Sequence, residues 1–457
     1  MLPIQTCLMA AGEGTRMHSK KSKVLHEICG RTLLDWVMAA APESGERPIV
    51  IVGRNESAVR ETYGERVRYA VQHERLGTGH AVMMAADEIR KSGADAVLIV
   101  AGDMPLFRRE TLEKLCEGVV SGRCEAAVLT AILDDPTGYG RILRDEAGHV
   151  VGVVEQKDAS PEQLLIHETN VSGYCVRRDL LLDALSRLTN DNAQKEYYIT
   201  DIVGILVSDG RTVEACVAED PSECLGINDR VQLAAAERQM RRRINEKIMK
   251  SGVTLIDPEN TYIEADVVIG CDSVIYPNNV ITHGTRIGEN CVIRSGCRID
   301  SSVIGDFVEI TSSVLLSAKI GAHTTVGPFA YLRPASVVGE HARIGDFVEI
   351  KNSFVGDGTK VSHLTYIGDA DVGRRVNVGC GTVFVNYDGK RKYRTSVGDD
   401  VFIGCNTNLV SPVTVGDGAF IAAGSTVTDE VPADALAIAR ARQVNKDGWA
   451  EKRRQEP

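Results

Sequence analysis

The sequence predicts a doubly wound α/β domain, then a long linker helix, then a parallel β-helix of hexapeptide repeats. Three observations carry this expectation. Short β-branched bursts alternate with helical stretches over roughly the first 230 residues. An Ala- and Arg-rich run over 231–250 contains no Pro or Gly. Beyond Gly252 an aliphatic residue recurs every six positions.

In the first region, Pro48-Ile49-Val50-Ile51-Val52-Gly53 and Ala96-Val97-Leu98-Ile99-Val100-Ala101-Gly102-Asp103 are short, β-branched and closed by Gly or Asp. They read as buried parallel strands. Helical spacing over 81–91 lies between them. Strand and helix alternation of this kind builds an open sheet that binds ligands at the carboxyl ends of its strands. The run Leu233-Ala234-Ala235-Ala236-Glu237-Arg238-Gln239-Met240-Arg241-Arg242-Arg243 reads as one connecting helix. Its arginines suit a solvated face better than a nucleic-acid contact.

The six-step rhythm runs through Ile320, Val326, Leu332, Val338, Ile344 and Ile350, then Val355, Val361 and Ile367, then Val397, Ile403, Leu409, Val415, Ile421 and Val427. Three sides of six residues make a triangular coil of about 18 residues. The aliphatic side chains point inward and stack from coil to coil. A small neighbour, often Gly, lets the backbone bend. The 5% aromatic content suits a narrow prism. The rhythm breaks between Phe384 and Val397, so Val385-Asn386-Tyr387-Asp388-Gly389-Lys390-Arg391-Lys392-Tyr393-Arg394 leaves the prism as a loop, the kind of excursion that carries function. The expected domains are 1–230, a helical linker 231–251, and 252–457.

Composition narrows the classes of function. With 457 residues and 43% hydrophobic content the chain is globular and has several domains. No apolar run approaches the ~20 residues of a membrane span. Met1-Leu2-Pro3-Ile4-Gln5-Thr6 lacks the basic and apolar regions of a signal peptide, so a cytoplasmic protein is expected, with no membrane partner. Fifty-two basic against 63 acidic residues give a net charge of −11, which argues against nucleic acid. A phosphate ligand must then be held by a local cluster or by backbone amides. Twelve cysteines without C-x-x-C spacing read as free thiols.

Leu8-Met9-Ala10-Ala11-Gly12-Glu13-Gly14-Thr15-Arg16-Met17 follows the first strand, and Lys23-Val24-Leu25 comes shortly after. Glycines in such a loop allow a tight turn and close backbone approach to phosphates. This string resembles the signature of the sugar-phosphate nucleotidyltransferases, as do Gln72 with Gly77-Thr78-Gly79-His80-Ala81, Ala101-Gly102-Asp103, Pro136-Thr137-Gly138-Tyr139-Gly140-Arg141-Ile142, Val154-Glu155, Asn170 and Ile227-Asn228-Asp229. The resemblance implies that Met9, Ala10, Ala11, Gly12, Lys23, Gln72, Gly77, Thr78, Ala101, Gly102 and Asp103 hold UTP. It implies that Gly140, Glu155 and Asn170 line the sugar pocket, and that Asp103 and Asn228 hold Mg²⁺, a cation that prefers oxygen ligands. Arg16 and Lys23 are the expected catalytic cations. A sugar 1-phosphate oxygen would attack the α-phosphorus of UTP and pyrophosphate would leave.

In the second half, Val326-Gly327-Pro328-Phe329-Ala330-Tyr331-Leu332-Arg333-Pro334, Phe347-Val348-Glu349-Ile350-Lys351-Asn352-Ser353, Lys360-Val361-Ser362-His363-Leu364-Thr365-Tyr366-Ile367-Gly368-Asp369 and Asn386-Tyr387-Asp388-Gly389 resemble one family along the whole chain. It is the family of bifunctional N-acetylglucosamine-1-phosphate uridyltransferases / glucosamine-1-phosphate N-acetyltransferases. The resemblance implies a left-handed β-helix, a homotrimer formed through it, and acetyl-CoA and glucosamine 1-phosphate as further substrates. His363 can take the proton of an attacking amine, because imidazole titrates near neutrality. Glu349 is either its orienting carboxylate or a surface residue. Arg333 and Lys351 can grip a phosphate. By resemblance Tyr366 and Asn377 contact the sugar, and Cys380, Asn386, Tyr387, Cys405, Ala423 and Arg440 form the acetyl-CoA site. The cluster Lys390, Arg391, Lys392 and Arg394 either approaches coenzyme A phosphates or is a solvated loop tip.

Departures from the family pattern are Cys380 and Cys405 in place of small residues, Tyr331 in place of Arg, Glu13 in place of Lys, and Asn170-Val171-Ser172-Gly173 in place of Asn-Thr-Gly. Neither cysteine has a base at a fixed spacing that marks a nucleophile. Two other readings are a single-activity nucleotidyltransferase with a structural β-helix and a non-enzymatic scaffold. His363 with Arg333 and Lys351 speaks against the first, and Asp103 with Asn228 beside the Gly-rich loop against the second.

Overall fold

The computed structural model describes residues 4–455. Met1, Leu2 and Pro3, part of the stretch read above as lacking a signal, lie outside the described residues. The chain divides into two compact units, Met1–Met240 and Arg241–Pro457.

The first unit is built on a nine-stranded mixed sheet. Along its main path the strands run Val213–Val217, Ala126–Ile132, Glu168–Arg177, Ala96–Ala101, Ile4–Met9, Ile49–Val52 and Arg68–Val71. Ile4–Met9 pairs in parallel with Ile49–Val52 and with Ala96–Ala101. Glu168–Arg177 is antiparallel to both of its path neighbours and also carries the hairpin of Gly140–Arg144 and Val150–Val154. The strands Ile49–Val52 and Ala96–Ala101 read as unbroken apolar runs because both faces are covered. Leu8, Val50, Val52, Leu98 and Val100 enter one apolar layer, and Cys7, Ile49, Ile51, Val97 and Ile99 enter the other. The helical spacing over 81–91 becomes two short helices, Thr78–Met84 and Ala86–Arg90, meeting at Ala85.

The helix Arg230–Lys250 is continuous, and the division between the units falls within it. In the first unit Glu237 accepts a hydrogen bond from the Cys29 amide at 2.8 Å. In the second, the buried Asn245 donates to the carbonyls of Pro258 and Thr261 at 2.7 and 3.0 Å.

The second unit is a left-handed parallel β-helix with three parallel sheets of eleven, ten and nine strands. All the aliphatic residues of the three runs named above are buried. A typical corner follows Ile320: Gly321 and Ala322, then His323 at φ 57°, then the buried Thr324. A Cβ on Gly321 would lie 2.5 Å from the Gly339 carbonyl carbon, so only Gly fits against the next coil. Thr324 donates its hydroxyl to the Gly339 carbonyl at 2.8 Å and accepts from the Ala342 amide at 3.1 Å, which satisfies the polar groups that the corner buries.

The repeat departs from a uniform six in one respect. Ile299 to Ile304, Ile350 to Val355 and Ile367 to Val372 are steps of five. These corners place the positive φ one residue earlier, at Ser301, Asn352 and Asp369. Coils therefore advance by 16, 17 or 18 residues, as between Arg298 and Val314, Ile344 and Val361, and Val274 and Val292. Where the loop leaves the prism, Val378 pairs with Ile403, and the register resumes unchanged. A short helix, Trp449–Gln455, follows the last coil, within the region expected to be β-helix alone. No helix of the described residues is long and apolar enough to cross a membrane.

Ile350 is fully buried between Leu332 and Ile367 on the neighbouring coils. The variant Ile350→Ala should destabilise the β-helix by about 2–5 kcal/mol, read as a lower denaturation midpoint in urea.

Candidate functional site

In the first unit the Gly-rich loop starts where Ile4–Met9 ends. The Met9 carbonyl accepts from the Gly102 amide at 2.9 Å, which sets the two strand ends side by side. Asn55 donates to the Ala10 carbonyl at 2.9 Å, and Ala11 is buried. Gly12 faces open space, and Arg16 is exposed on the short turn Thr15–Met17. Gly14 sits at φ 62°, and a Cβ there would lie 2.7 Å from the Lys23 Cβ. Lys23 thus packs across the loop. Glu13 is held by Arg54 at 2.9 Å and Arg75 at 3.0 Å.

Asp103 follows the strand Ala96–Ala101, and its carbonyl accepts from the Ile227 amide at 3.0 Å. That bond delivers Asn228 to the site. Lys23 pairs with the Asp103 carboxylate and donates to Asn228 Oδ1 at 3.2 Å. One carboxylate and one amide oxygen therefore converge on a single cation. This pair of hard oxygen donors fits Mg²⁺. Among the described residues no group of three or more His, Cys, Asp or Glu could hold a metal.

Gln72 is buried, and its amide donates to the Gly77 carbonyl at 3.0 Å and meets His80 Nδ1 at 3.2 Å. Gly77 is at φ 111°, and a Cβ there would lie 2.4 Å from the Tyr197 carbonyl oxygen. Thr78 Oγ1 accepts from the Ile199 amide at 3.1 Å. Gly140 and Asn170 are register partners, and a Cβ on Gly140 would lie 3.6 Å from a Glu155 oxygen, so the three expected sugar-pocket residues come together. Asn170 donates to the Tyr174 hydroxyl at 2.8 Å, and Glu155 accepts from Thr200 at 3.1 Å. Burial pushes the Glu155 carboxyl above its ordinary value, and the acids Asp201, Asp158 and Glu196 add to the shift. Tyr174, Tyr197 and Thr200 carry no local motif that would reveal these roles.

In the second unit, successive coils stack Asp346, His363, Cys380, Cys405 and Ala423 in one column. Asp346 is the register partner of His363. Val361 pairs with Val378, and the Leu364 carbonyl accepts from the Gly381 amide at 3.1 Å, so Cys380 follows. Val378 pairs with Ile403, and the Asn406 amide donates to the Cys380 carbonyl at 2.7 Å. Ile403 pairs with Ile421, and the Gly424 amide donates to the Cys405 carbonyl at 2.8 Å. Each column residue immediately precedes a positive-φ corner: Phe347, Leu364, Gly381, Asn406 and Gly424.

His363 Nδ1 lies 2.6 Å from Asp346 Oδ1. That hydrogen bond holds the Asp346 carboxyl below its ordinary range. Asp346, not Glu349, therefore orients the imidazole. Glu349 instead accepts from Arg333 at 2.9 Å. A spacing of 17, one shortened coil, is the signal that could have found Asp346. His363 also stands one coil from Cys380.

Arg333 and Lys351 follow register-paired residues on the adjacent sheet, and Glu349 pairs with Tyr366. The early corners at Asn352 and Asp369 draw a tight cluster together. Lys351 lies 3.0 Å from the Asp369 carboxylate, Asn352 donates to it at 2.6 Å, and Asn386 also donates to it. Burial works to raise the Asp369 carboxyl, but these hydrogen bonds and the lysine charge hold it below its ordinary range. Asn386 lies 3.4 Å from the Tyr366 hydroxyl. A Cβ on Gly368 would lie 2.3 Å from that hydroxyl, so the glycine makes room for it. Asn386 thus joins the Arg333, Lys351 and Tyr366 side and not the cysteine column. The Lys351 ammonium nearby pushes the Lys392 pKa below its ordinary value. Arg394 pairs with Asp371. Asn377 stands on the other sheet, between Lys360 and Phe402, and is not part of this group. Tyr387 is exposed, with its hydroxyl on the Gly389 carbonyl at 2.7 Å. Arg440 runs beside Gly424, next to Ala423.

Comparison with known proteins agrees with both halves. Residues 6–196 match the MobA-like NTP transferase domain, and residues 266–301, 317–352 and 394–429 match the bacterial transferase hexapeptide family. The chain is similar to the Bifunctional protein GlmU of Clostridium beijerinckii, 52% identical over 98% of each chain. It is similar to that of Caldanaerobacter subterraneus subsp. tengcongensis, 51% identical over 99% of each. A third relative, from an Exiguobacterium species, is 52% identical over 97% of this chain and 99% of its own.

The raised Glu155 carboxyl has a testable consequence. A carboxyl whose folded pKa lies above its unfolded value destabilises the fold once pH exceeds the folded pKa, and costs nothing below the unfolded one. Glu155→Gln should therefore raise the melting temperature of the first unit at pH ~7, and the gain should vanish below pH ~4.3, measured by thermal denaturation across pH.

Proposed function

The chain belongs to the GlmU family of bifunctional proteins, and on that premise we propose how its two units divide the work. The protein is a bifunctional transferase of UDP-N-acetylglucosamine synthesis. It acetylates glucosamine 1-phosphate with acetyl-CoA, and it transfers UMP from UTP to the resulting N-acetylglucosamine 1-phosphate with release of pyrophosphate. We assign uridylyl transfer to residues 1–230, a linker to 231–251, and acetyl transfer to the β-helix of 252–457.

For acetyl transfer, Asp346 accepts a hydrogen bond from Nδ1–H of His363, which leaves the unprotonated Nε2 as the base. Nε2 takes a proton from the sugar amine, the amine attacks the thioester carbonyl, and the departing coenzyme A thiolate recovers the proton. Arg333, Lys351 and Lys392 bind the sugar phosphate, and two adjacent lysines suit a dianion. Tyr366 and Asn386 orient the sugar. Cys380, Cys405, Ala423 and Arg440 line the thioester side, and Tyr387 and Asn377 stand at its margins.

For uridylyl transfer, the loop from Met9 to Gly12, with Ala101 and Gly102, receives the nucleotide, while Gln72, Gly77 and Thr78 receive the base. Gly140, Glu155 and Asn170 take the sugar. Lys23 orients the attacking sugar phosphate in line with the α-phosphorus, and Arg16 offsets the charge that develops on the phosphoryl group. Asp103 and Asn228 would hold Mg²⁺, which supplies positive charge for the phosphates.

We read the enzyme as a homotrimer. Phe329, Phe347 and Leu364 are 59%, 59% and 60% exposed on successive coils, an apolar edge that supports contact with further copies. We also place it in the cytoplasm, a reading supported by twelve cysteines of which none forms a disulfide among the described residues.

The observation that carries the two-site reading is the exposed Asp346–His363 pair. A second exposed pair, His283 with Asp300 at 2.8 Å, stands on an earlier coil, and what sets Asp346–His363 apart is the group of Arg333, Lys351 and Tyr366 on the same stretch of coils. The test is to incubate the protein with glucosamine 1-phosphate, acetyl-CoA and UTP, omitting each in turn, and to identify the products. His363→Ala should lower acetyl transfer by about 10²–10⁴-fold and leave uridylyl transfer near normal. Asp103→Ala should abolish Mg²⁺-dependent pyrophosphate release and spare acetyl transfer. Loss of both activities from either folded variant contradicts independent sites. Asp346→Asn should slow acetyl transfer by roughly ten- to a thousandfold by presenting the wrong tautomer, with uridylyl transfer again unaffected.

A further inference from the structure

The column that carries His363 continues through two thiols. Of the twelve cysteines, Cys380 and Cys405 are exposed, eight are buried, and Cys216 and Cys271 are partly covered. A soluble reagent therefore meets these two first. They occupy equivalent positions on neighbouring coils, each just before a positive-φ residue, Gly381 at 75° and Asn406 at 55°. Neighbouring strands lie about 4.8 Å apart. A disulfide spans Cα separations of roughly 4.4–6.8 Å, so register alone brings the pair into range. The backbones touch closely here: the Asn406 amide donates to the Cys380 carbonyl at 2.7 Å, and a Cβ on Gly379 would lie 2.5 Å from the Cys405 nitrogen. The next position in the column is Ala423, so the thiol ladder stops at two members.

We propose that Cys380 and Cys405 form a reversible disulfide across adjacent coils that switches off acetyl transfer and leaves uridylyl transfer running. The oxidant is a low-molecular-weight disulfide. One cysteine thiolate attacks it, its S–S bond breaks, and one small thiolate departs, leaving a mixed disulfide on the protein. The second cysteine thiolate attacks the protein sulfur of that mixed disulfide and expels the second small thiolate. The dithiol loses two electrons and two protons, and the small disulfide is reduced to two thiols. The new bond draws the two side chains together on the rungs next to His363, where the thioester must lie, and so displaces it from the base. This control rests on the acetyltransferase reading given above.

The test uses the full-length protein and oxidised glutathione, with alkylation and peptide mapping. The mapping should recover Cys380 and Cys405 joined to each other. Acetyl transfer should fall about a hundredfold, the cost of a ~1 Å misplacement of a bound reactant, with uridylyl transfer unchanged and dithiothreitol restoring activity. The double variant Cys380→Ala/Cys405→Ala, treated identically, should keep whatever acetyl transfer rate it shows untreated. Recovery of the two cysteines as separate glutathione adducts or as free thiols overturns the proposal. So does a cross-link that leaves acetyl transfer untouched, or equal oxidative loss in the double variant. If the reduced native protein shows no acetyl transfer, the functional reading fails and the control fails with it. The cross-link itself is still decided by mapping.

Discussion

Each inward aliphatic side chain of the second unit meets its counterpart one coil away, and hydrogen bonds between coils hold that match residue by residue. Val361 sits between Ile344 and Val378, and Val378 between Val361 and Ile403. A slip of one residue would turn the buried face outward, so the register is set wherever the core is dry. Everything chemical on the outside of the prism inherits this constraint. Asp346 faces His363 because Ile344 faces Val361. Lys351 reaches Asp369 because the corners at Asn352 and Asp369 turn one residue early. The loop from Val385 can leave and return because Val397 re-enters the stack in step.

The first unit uses a different means to the same end. Its parallel strands finish together, and residues far apart in sequence are delivered to that edge by single backbone bonds. The Asp103 carbonyl holds Ile227, which brings Asn228 to the same Lys23 ammonium that the Asp103 carboxylate pairs with. The Tyr197 segment closes over Gly77 and fixes the turn that presents Thr78. Glu13, on the loop itself, is braced between Arg54 and Arg75, so the acid standing there serves the loop's shape.

Much of this was legible in the sequence. The aliphatic rhythm foretold the prism, and the loop boundaries at Phe384 and Val397 followed from its interruption. Asp103, Lys23 and Asn228 were legible as one constellation because motif strings mark all three. Asp346 was not, since its relation to His363 depends on whether a coil holds 16, 17 or 18 residues. A single shortened corner changes which side chains are neighbours, and the corner length is encoded only by where a positive φ falls. The Asn386 contact to Asp369 was hidden for the same reason. Thr200 beneath Glu155 and Tyr174 beneath Asn170 were hidden by distance along the chain, with nothing local to mark them.

A stack of this kind is held by nearest neighbours alone, so its ends are its weak points. The final rung, Leu436–Ala437, is only partly covered, with Leu436 62% exposed, and among the described residues no further strand stacks on it. Fraying from that side reaches Arg440 and Ala423 first, the thiols next and the imidazole last. The surface proposed to take the acyl donor thus softens before the proposed base does, and a protein losing its last rungs to heat or proteolysis would lose that surface while the Asp346–His363 pair still stood.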